Sequence, residues 1–317
     1  MFVRKNFKRI NSIFLSTLLV LSLSFGFSFS EEIKYLVPMG NVIQIDAELK
    51  HVVVRNKIKN SPFELGDEIF FINNKKINTY GNFAECLSDI FDDENVEVKI
   101  KRSKKIVTLN VSKNELENLN LNDALSGFAT LTCINPQNKE FVAVGHPIGI
   151  GSSRVLDIRE GYIFSTKNTD IKKSSRGNVG SLSADRNVAI GKFTKNNLFG
   201  IKGNIPTLDI SKLEKFKIAS LEEVKVGPAQ LVLQDSDFNS VKYDIEIVAI
   251  DKQDNPQPKT FKIKITDKRL TDLCGGIVQG MSGTPIVQGD KIIGAVSHAI
   301  ESNPQNGYAV FIKWMIE

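Results

Sequence analysis

The stretch GIVQGMSGTPIV, residues 276–287, places a serine between two glycines close to the end of the 317-residue chain. Glycines at positions 280 and 283 let the backbone turn sharply and approach another molecule closely, because they carry no Cβ. The apolar residues on either side are typical of β-strands. The pattern allows two interpretations of Ser282: a nucleophile on a tight turn, or an ordinary serine in a Gly-rich hairpin.

The residues around Ser282 favour one kind of nucleophile turn over another. In α/β-hydrolases the serine of a GxSxG motif stands between a strand and a helix, whereas here Gly283 follows at once and Pro285 opens another strand-like run. In chymotrypsin-like enzymes the N–H groups of the nucleophile and of the glycine two positions earlier bind the oxyanion. Gly280 and Ser282 hold those positions, so the stretch predicts an oxyanion hole at these two residues.

Three histidines are available as a general base. His146, in EFVAVGHPIGIG, ends an apolar strand-like run and precedes Ser282 by close to the interval of about 140 residues found in chymotrypsin-like enzymes. His298, in IIGAVSHA, is the alternative, on a strand that in such folds lines the substrate groove. His51 lies far from both and is set aside. We expect His146 to be the base and Gly294, Ala295, Val296 and Ser297 to pair with the substrate backbone.

The chain beyond residue 125 is β-rich by pattern. Short apolar runs such as FATLTCI, EFVAVGH and YDIEIVAI alternate with Gly, Asn, Asp and Ser turns, which predicts a barrel or sandwich fold. Residues 126–317 suffice for two packed β-barrels. Within them, KNTDIKKSSR (167–176) predicts a polar, mobile loop. The Asn- and Leu-rich residues 113–125 predict a linker or a short helix.

Residues 33–112 form a second predicted domain. SPFELGDEIFFINNKKI (61–77), followed by NFAECLSDIF (82–91) with helical apolar spacing, resembles the PDZ family. The resemblance implies that backbone N–H groups of a loop before the second strand bind a peptide C-terminus, while the peptide adds a strand to the sheet edge. The matching stretch is Met39, Gly40, Asn41 and Val42.

The N-terminus carries an export signal. The basic MFVRKNFKR precedes a long uncharged apolar run, which predicts a secretory signal in residues 1–30. Cleavage before Glu31 and retention as a membrane anchor through residues 10–29 are equal alternatives. Four basic residues of this segment account for most of the net charge of +5. Because the remainder is nearly neutral, nucleic acid is not expected as a partner.

The three cysteines, Cys86, Cys133 and Cys274, show neither a metal-binding spacing nor an even count for a disulfide framework. Buried or unpaired thiols are the expectation. No metal and no cofactor is predicted, since a serine nucleophile with a histidine base needs neither.

Four segments, AVGHPIG, ITDKRL, GGIVQGMSGTPIVQGDKIIGAVSH and NPQNGYAVFIKWM, are similar to the stage IV sporulation protein B peptidase family. The resemblance extends over nearly the whole chain. It implies a mainly β protein with an N-terminal PDZ-like domain followed by a chymotrypsin/trypsin-like double β-barrel. It also implies an exported serine endopeptidase that cleaves a membrane-associated regulatory protein, and itself, between two developing cell membranes. By its motifs, Ser282 is the nucleophile, His146 the base and Asp267 the acid.

The acid partner of His146 stays open on spacing alone. In the chymotrypsin order the acid lies between base and nucleophile and well away from the latter, and Asp185 and Asp209 fit that order better than Asp267. Two other functions also stay open. One is a non-catalytic exported scaffold that binds peptide ends through the PDZ-like domain, and the weaker one is an esterase on the same barrels.

Overall fold

The computed structural model describes residues 33–92, 94–151, 155–234, 239–251, 253 and 255–317. The predicted signal or anchor, residues 1–30, lies outside these residues. Within the described ranges the chain is mainly β, and none of the helices found there is long and apolar enough to cross a bilayer.

The first half of the described chain begins with two strands, followed by a small mixed unit. The opening strands are β1 (Tyr35–Pro38) and β2 (Val42–Val54). The small unit contains β3 (Glu68–Ile72), β4 (Lys75–Lys76), helix α1 (Tyr80–Ser88), β5 (Asn95–Arg102), β6 (Lys105–Ser112) and helix α2 (Lys113–Glu117). Five strands follow: β7 (Leu121–Ile134), β8 (Glu140–Val144), β9 (Ile158–Lys172), β10 (Ser181–Asn197) and β11 (Gly200–Asn204).

The second half is again built of strands with two short helices. It contains β12 (Phe216–Ile218), a 3₁₀ turn (Leu221–Glu223), β13 (Gly227–Gln234), β14 (Ser240–Ile250) and β15 (Phe261–Ile265). After helix α3 (Lys268–Cys274) come β16 (Pro285–Gln288), β17 (Lys291–Ala299), β18 (Asn306–Phe311) and helix α4 (Ile312–Ile316).

Six antiparallel strands close a first barrel. Strand β2 pairs with β7 and β9, β8 pairs with β7 and β11, and β10 pairs with β9 and β11, so the ring of pairings is complete. Along β2 every second side chain is buried, as expected for a strand with one face on the core. The core is apolar and includes Ile43, Ile45, Leu131, Phe141, Ile163 and Phe193.

Six further strands close a second barrel. Strand β13 pairs with β14 and β16, β15 pairs with β14 and β18, and β17 pairs with β16 and β18. Its inward side chains, among them Leu231, Ile245, Ile263, Ile286 and Phe311, are buried. Strand β1 connects the barrels, because its first two residues pair with β12 and its last two with β7. The prediction of a mainly β double barrel is confirmed.

The small unit is inserted between the first two strands of the first barrel. Its core includes Val52 and Val54 from the end of β2, Phe83 from α1, Val98 from β5 and Leu121 from the start of β7. The partners Val54 and Leu121 stand opposite each other where β2 and β7 leave the barrel. The two strands therefore run without a break from the barrel into the inserted unit.

Strand pairing divides the chain differently from the predicted domain bounds of 33–112, 113–125 and 126–317. Residues 37–49 belong to the first barrel, because they pair with β7 and β9 and fill its core. The inserted unit spans residues 52–121. The predicted linker is helix α2 and the start of β7, where Ser112 and Glu115 form a capping box.

The predicted mobile loop 167–176 is also revised. Residues up to Lys172 extend β9, which pairs with β10 up to Lys172 and Ser181. Only the tip of this hairpin, residues 173–180, is a loop. The polar composition of residues 167–176 comes from strands with exposed faces. This hairpin projects from the barrel, so its side chains are in contact with solvent.

Candidate active site

The turn that carries Ser282 follows helix α3 and precedes β16. Gly280 (φ +100°) and Gly283 (φ +95°) adopt left-handed backbone conformations that favour glycine. A Cβ on Gly283 would lie 2.2 Å from the carbonyl oxygen of Thr130, a distance that only glycine avoids. The second barrel thus presents Ser282 on a sharp turn packed directly against the backbone of the first barrel.

The backbone N–H groups of this turn divide into two sets. Met281 donates to the carbonyl of Val278 and Gly283 to that of Val296. In the part of the chain that the structure describes, the N–H groups of Gly280 and Ser282 donate to no protein acceptor. These are the two donors of the predicted oxyanion hole, and they stay available for a substrate oxygen.

Two buried threonines of β7 fix the carbonyl groups of the turn. Thr130 Oγ1 donates to the carbonyl of Gly280 at 2.8 Å, and Thr132 Oγ1 donates to that of Gly283 at 2.7 Å. The Thr130 N–H donates to the carbonyl of Ser282 at 2.9 Å. Both side chains are fully buried, so these bonds are shielded from water. The first barrel therefore sets the orientation of the peptide groups around Ser282.

The tip of the β9–β10 hairpin holds the segment that leads to the turn. The Ser174 N–H donates to the carbonyl of Cys274, and its Oγ donates to that of Ile277, each at 2.8 Å. The Gln279 N–H donates to the carbonyl of Gly180 at 2.8 Å. The sequence predicted mobility for part of this hairpin, but its tip is docked onto the chain just before the nucleophile.

His146 follows β8 on a strained stretch of backbone. Val144 has a φ of +80° and Gly145 a φ of +74°. A left-handed conformation at a β-branched residue is an outlier, and such strain collects at functional sites where surrounding packing enforces it. Val144 is buried, which supplies that enforcement. The strained entry turns the chain out of the barrel wall at His146.

Asn196 clamps the loop that carries His146. Its Nδ2 donates to the carbonyls of Ile148 and Leu156, at 2.8 and 2.9 Å, and its Oδ1 accepts from the Ile148 N–H at 2.9 Å. Sequence reasoning missed Asn196. Its partners are backbone groups of a distant loop, which leave no pattern in the sequence.

The environment of His146 favours a neutral imidazole. Burial lowers the pKa of His146 below the ordinary 6.5, although the carbonyl of Pro147 acts in the opposite direction. Nδ1 lies 2.9 Å from that carbonyl oxygen. A proton on Nδ1 satisfies this contact and leaves the Nε2 lone pair free to accept a proton, the state that a general base requires.

Ser282, His146 and Gly280 line one cleft between the barrels, with a volume of about 580 Å³. The walls are largely apolar and come from β2, β7, the His146 loop and the end of β17. His298 lines the same cleft, and its ring centroid lies 5.4 Å from that of His146. The structure therefore brings together the predicted nucleophile, base and oxyanion donors, along with the alternative histidine.

Asp267 is placed elsewhere. It caps helix α3, where its side chain accepts from the Arg269 N–H at 2.8 Å and pairs with the guanidinium at 2.7 Å. The Asp244 N–H also donates to it. The Arg269 hydrogen bonds hold the pKa of Asp267 at about 2. The Asp267 carboxylate is thus bound to the first turn of helix α3. His146 Nδ1 instead contacts the backbone carbonyl of Pro147.

The two other acid candidates are also engaged away from the base. Asp185 is exposed on β10 and accepts a hydrogen bond from Asn168 at 2.7 Å. Asp209 is exposed and accepts from the Ser211 N–H, which lowers the pKa of Asp209. Within the described ranges, none of the three aspartates has a hydrogen bond to His146.

The predicted substrate-pairing strand needs a shift along the chain. Gly294 and Ala295 on β17 pair with β16 on one side and β18 on the other, and the N–H of Val296 donates to Thr284. A substrate strand has no room beside these residues. Pairing with β16 ends there, and the stretch Ser297–Ala299 lines the cleft. The part of β17 that has no partner in β16 and lines the cleft therefore begins at Ser297 rather than at Gly294.

The residues of the predicted PDZ-type peptide site make contacts within the chain itself. The N–H groups of Met39 and Gly40 donate to carbonyls of β7, and Val42 pairs with Thr130. The Asn41 side chain donates to Gln234 of the second barrel. These residues join the two barrels, so their amide groups are already used by the chain itself.

Comparison with protein families gives two matches. The SpoIVB peptidase S55 family matches residues 115–316, and the PDZ domain family matches residues 25–112. Both agree with the resemblances found in the sequence. A comparison with curated protein sequences gives no match.

Two solved structures are reported among similar chains. The inactive form of the Rv3671c protease is 12% identical, with a TM-score of 0.32, and the match covers 59% of this chain and 79% of that one. The inactive form of a serine-to-alanine mutant of Rv3671c from M. tuberculosis H37Rv is also 12% identical, with a TM-score of 0.31, and covers 59% and 77%.

Proposed function

The chain belongs to the SpoIVB peptidase S55 family and is a serine peptidase, and we propose that it is an exported endopeptidase that acts through Ser282 and His146. The observation that carries this assignment is the cleft in which both residues lie next to two free backbone N–H groups. Nucleophile, base and oxyanion donors are the three parts that acyl transfer requires.

The reaction proceeds in two stages. His146 Nε2 takes the proton of the Ser282 hydroxyl while Oγ attacks the scissile carbonyl, and the resulting oxyanion is bound by the N–H groups of Gly280 and Ser282. The imidazolium then gives its proton to the leaving amine, which leaves an acyl-enzyme. Water, activated by the same histidine, hydrolyses the acyl-enzyme and restores the serine. The carbonyl of Pro147 stabilises the Nδ1–H proton throughout.

The substrate proposed is a membrane-associated regulatory protein, with self-cleavage during maturation, in signalling of the sporulation type. Three observations support this. The N-terminus has the pattern of an export signal or membrane anchor, the family matched is that of a sporulation peptidase, and a PDZ-like unit is built into the first barrel. Peptide recognition is the usual role of PDZ domains.

The test compares the full chain with its Ser282→Ala variant. We expect the unaltered protein to react with a fluorophosphonate probe and to hydrolyse peptide substrates. In the variant, labelling should be absent and kcat reduced by about 10⁶-fold. A control substitution must lie outside the turn that carries Ser282, which excludes Thr284→Ser. Ser183→Ala, at an exposed position of β10, is the matched control and should keep full activity.

Two results would overturn the proposal. If both proteins stay unlabelled and show identical bands over time, the chain is the non-catalytic scaffold. If ester substrates are turned over and peptides are not, it is an esterase on the same barrels.

A further inference from the structure

Two of the three histidines in the sequence meet in the catalytic cleft. The ring centroids of His146 and His298 are 5.4 Å apart, with an angle of 45° between the ring planes. The rings do not stack or donate to each other. With Zn–N bonds of about 2.0–2.1 Å and a tetrahedral angle at the metal, two imidazoles that share one zinc ion have centroids roughly 5 Å apart. The observed spacing fits such a shared ion.

Ring nitrogens are available on both histidines. His146 Nδ1 is used by the Pro147 carbonyl, which leaves Nε2 as the free ligand atom. His298 Nδ1 is buried and has no hydrogen-bond partner among the described residues, and the neighbouring Ser297 Oγ is in the same condition. A buried polar atom without a hydrogen-bond partner lowers the stability of the folded protein. A ligand bound at these atoms would supply the missing partner.

The side chains that line the cleft bear on which metal fits. Among the described lining residues there is no carboxylate, and Arg55 is the charged one. Neutral nitrogen donors suit zinc rather than magnesium or calcium, and a site of only two imidazoles binds it reversibly.

We propose that a zinc ion binds between His146 and His298 and inhibits the peptidase. Water completes the coordination, in the cleft that Ser282 also lines. Zinc occupies the Nε2 lone pair of His146, so this residue no longer accepts the serine proton. The inhibition rests on the proposed function, whereas the binding site rests only on the geometry of the two histidines.

The rest of the chain provides a low background for this test. The third histidine, His51, contacts Phe70 in a tilted arrangement with ring centroids 3.9 Å apart, at the border of the inserted unit. The three cysteines, all within the described ranges, are buried, so they do not compete for metal in the folded protein. Zinc binding at one equivalent can therefore be assigned to a single place.

Binding is measured on the full chain with Ser282→Ala, free of any histidine tag, by calorimetric titration with zinc chloride. We expect one site per chain. Adding His298→Gln should weaken binding by at least about tenfold, because one of two protein nitrogens is lost. Adding His51→Gln, the matched control, should leave binding unchanged. No binding, or equal effects of the two substitutions, would overturn the proposed site.

A measurement without substitutions guards against misfolding of the His298 variant. In long-range ¹H–¹⁵N spectra of the unaltered protein, the three imidazole rings are observed separately. Zinc should shift the ring nitrogens of His146 and His298 and leave those of His51 in place. Shifts confined to His51, or absent at saturating zinc, contradict the proposal.

Inhibition is measured on the active enzyme. Zinc should reduce peptide turnover, and a chelator should restore it. For His298→Gln, each rate is expressed relative to that variant's own rate without zinc, and about tenfold more zinc should be needed for half inhibition. If zinc binds and no peptidase activity exists without it, the proposed function fails while the site stands. If the enzyme is active and zinc has no effect on it, the inhibition is refuted.

Discussion

In both barrels the first strand pairs with the second and the fourth, and the third pairs with the sixth. Although the two barrels share this connectivity, they contribute different residues to the candidate active site. The second barrel presents Ser282 and His298, whereas the first supplies His146 together with Thr130 and Thr132, which fix the nucleophile turn. The backbone geometry around the candidate nucleophile, Ser282, is therefore fixed by the barrel that does not contain it. Substitutions in the first barrel are therefore expected to change the catalytic rate even at residues that do not contact the substrate.

The largest effect is expected where the first barrel loses a strand. The family match begins at residue 115, yet a fragment of residues 115–317 lacks β1 and β2. Strands β7 and β9 would then lose their shared partner and expose open edges. We expect no cooperative thermal transition and no probe labelling for this fragment.

The matched control removes the inserted unit and keeps the barrel. Replacing residues 55–120 with Asn-Gly joins Val54 to Leu121, which already face each other as strand partners, through a two-residue hairpin turn. This variant should melt cooperatively and react with the probe. If instead the 115–317 fragment folds and reacts, β2 is not part of the catalytic barrel.

A smaller effect is expected from the threonine contacts between barrels. Thr130→Val leaves the buried carbonyl of Gly280 without its donor, which costs about 1–3 kcal/mol. We expect kcat to fall by roughly 10–100-fold as the oxyanion donors lose their orientation. Thr130→Ser keeps a hydroxyl and should restore most of the rate. Thr108→Val, on the exposed strand β6, is the control, and an equal effect there would remove the special role of Thr130.

Substitution of Asp267 tests whether this residue supports the fold or takes part in catalysis. Asp267→Asn keeps a capping side chain on helix α3 but removes the charge that pairs with Arg269. It should lower stability by no more than about 1 kcal/mol and leave kcat nearly unchanged. A triad acid would instead cost about 10⁴-fold in kcat. Asp185→Asn, at an exposed site, is the control. A fall in kcat of that size, with unchanged melting temperature, would return Asp267 to the catalytic role implied by the family motif.

The same residue has a defined pH signature. The pKa of Asp267 in the folded chain, about 2, lies below its ordinary value of 3.8. Its contribution to stability is therefore complete above the ordinary value and is lost as the pH falls toward 2. The free energy of unfolding, measured by denaturant titration at several pH values, should therefore fall less steeply from about pH 4 to 2 in Asp267→Asn than in the unaltered protein.

The smallest expected effect is a shift in the pH dependence of catalysis. Burial lowers the pKa of His146 below 6.5, and the base acts in its neutral form, so activity is present above that pKa and lost below it. The acid limb of kcat/KM for a peptide substrate should have its midpoint below 6.5. A midpoint at or above that value would mean that a carboxylate stabilises the imidazolium, and would contradict the backbone contact of Pro147 as its main partner.

The parts that could be predicted from the sequence are local ones. The glycines around Ser282 and the strand before His146 encode their turns within a few residues, and the PDZ-like motif lies in one segment. The mainly β double barrel and the peptidase family are confirmed, while the catalytic roles of Ser282 and His146 stay predictions. Strand pairing is not local. Nothing in residues 37–49 indicates that their partner strands follow an inserted unit, so this pairing could not be predicted from the sequence.

Side chains that hydrogen-bond to backbone groups far away in the sequence could not be identified from the sequence either. Thr130, Thr132 and Asn196 are ordinary polar residues in strands, and their importance comes from carbonyls more than forty residues away. The assignment of Asp267 relied on a motif. In the structure that motif is a helix cap, because Arg269 and the helix N–H groups compete for the carboxylate.

The insertion between β2 and β7 also bears on how the chain folds. Closing the first barrel directly would require its first two strands to meet across a long loop, at an entropic cost. The core of the inserted unit contains Val52, Val54 and Leu121, so its folding brings the two strands together first. The PDZ-like unit would then act as a built-in template. Phe83→Ala, which weakens only this core, should slow barrel formation in stopped-flow refolding more than it speeds barrel unfolding.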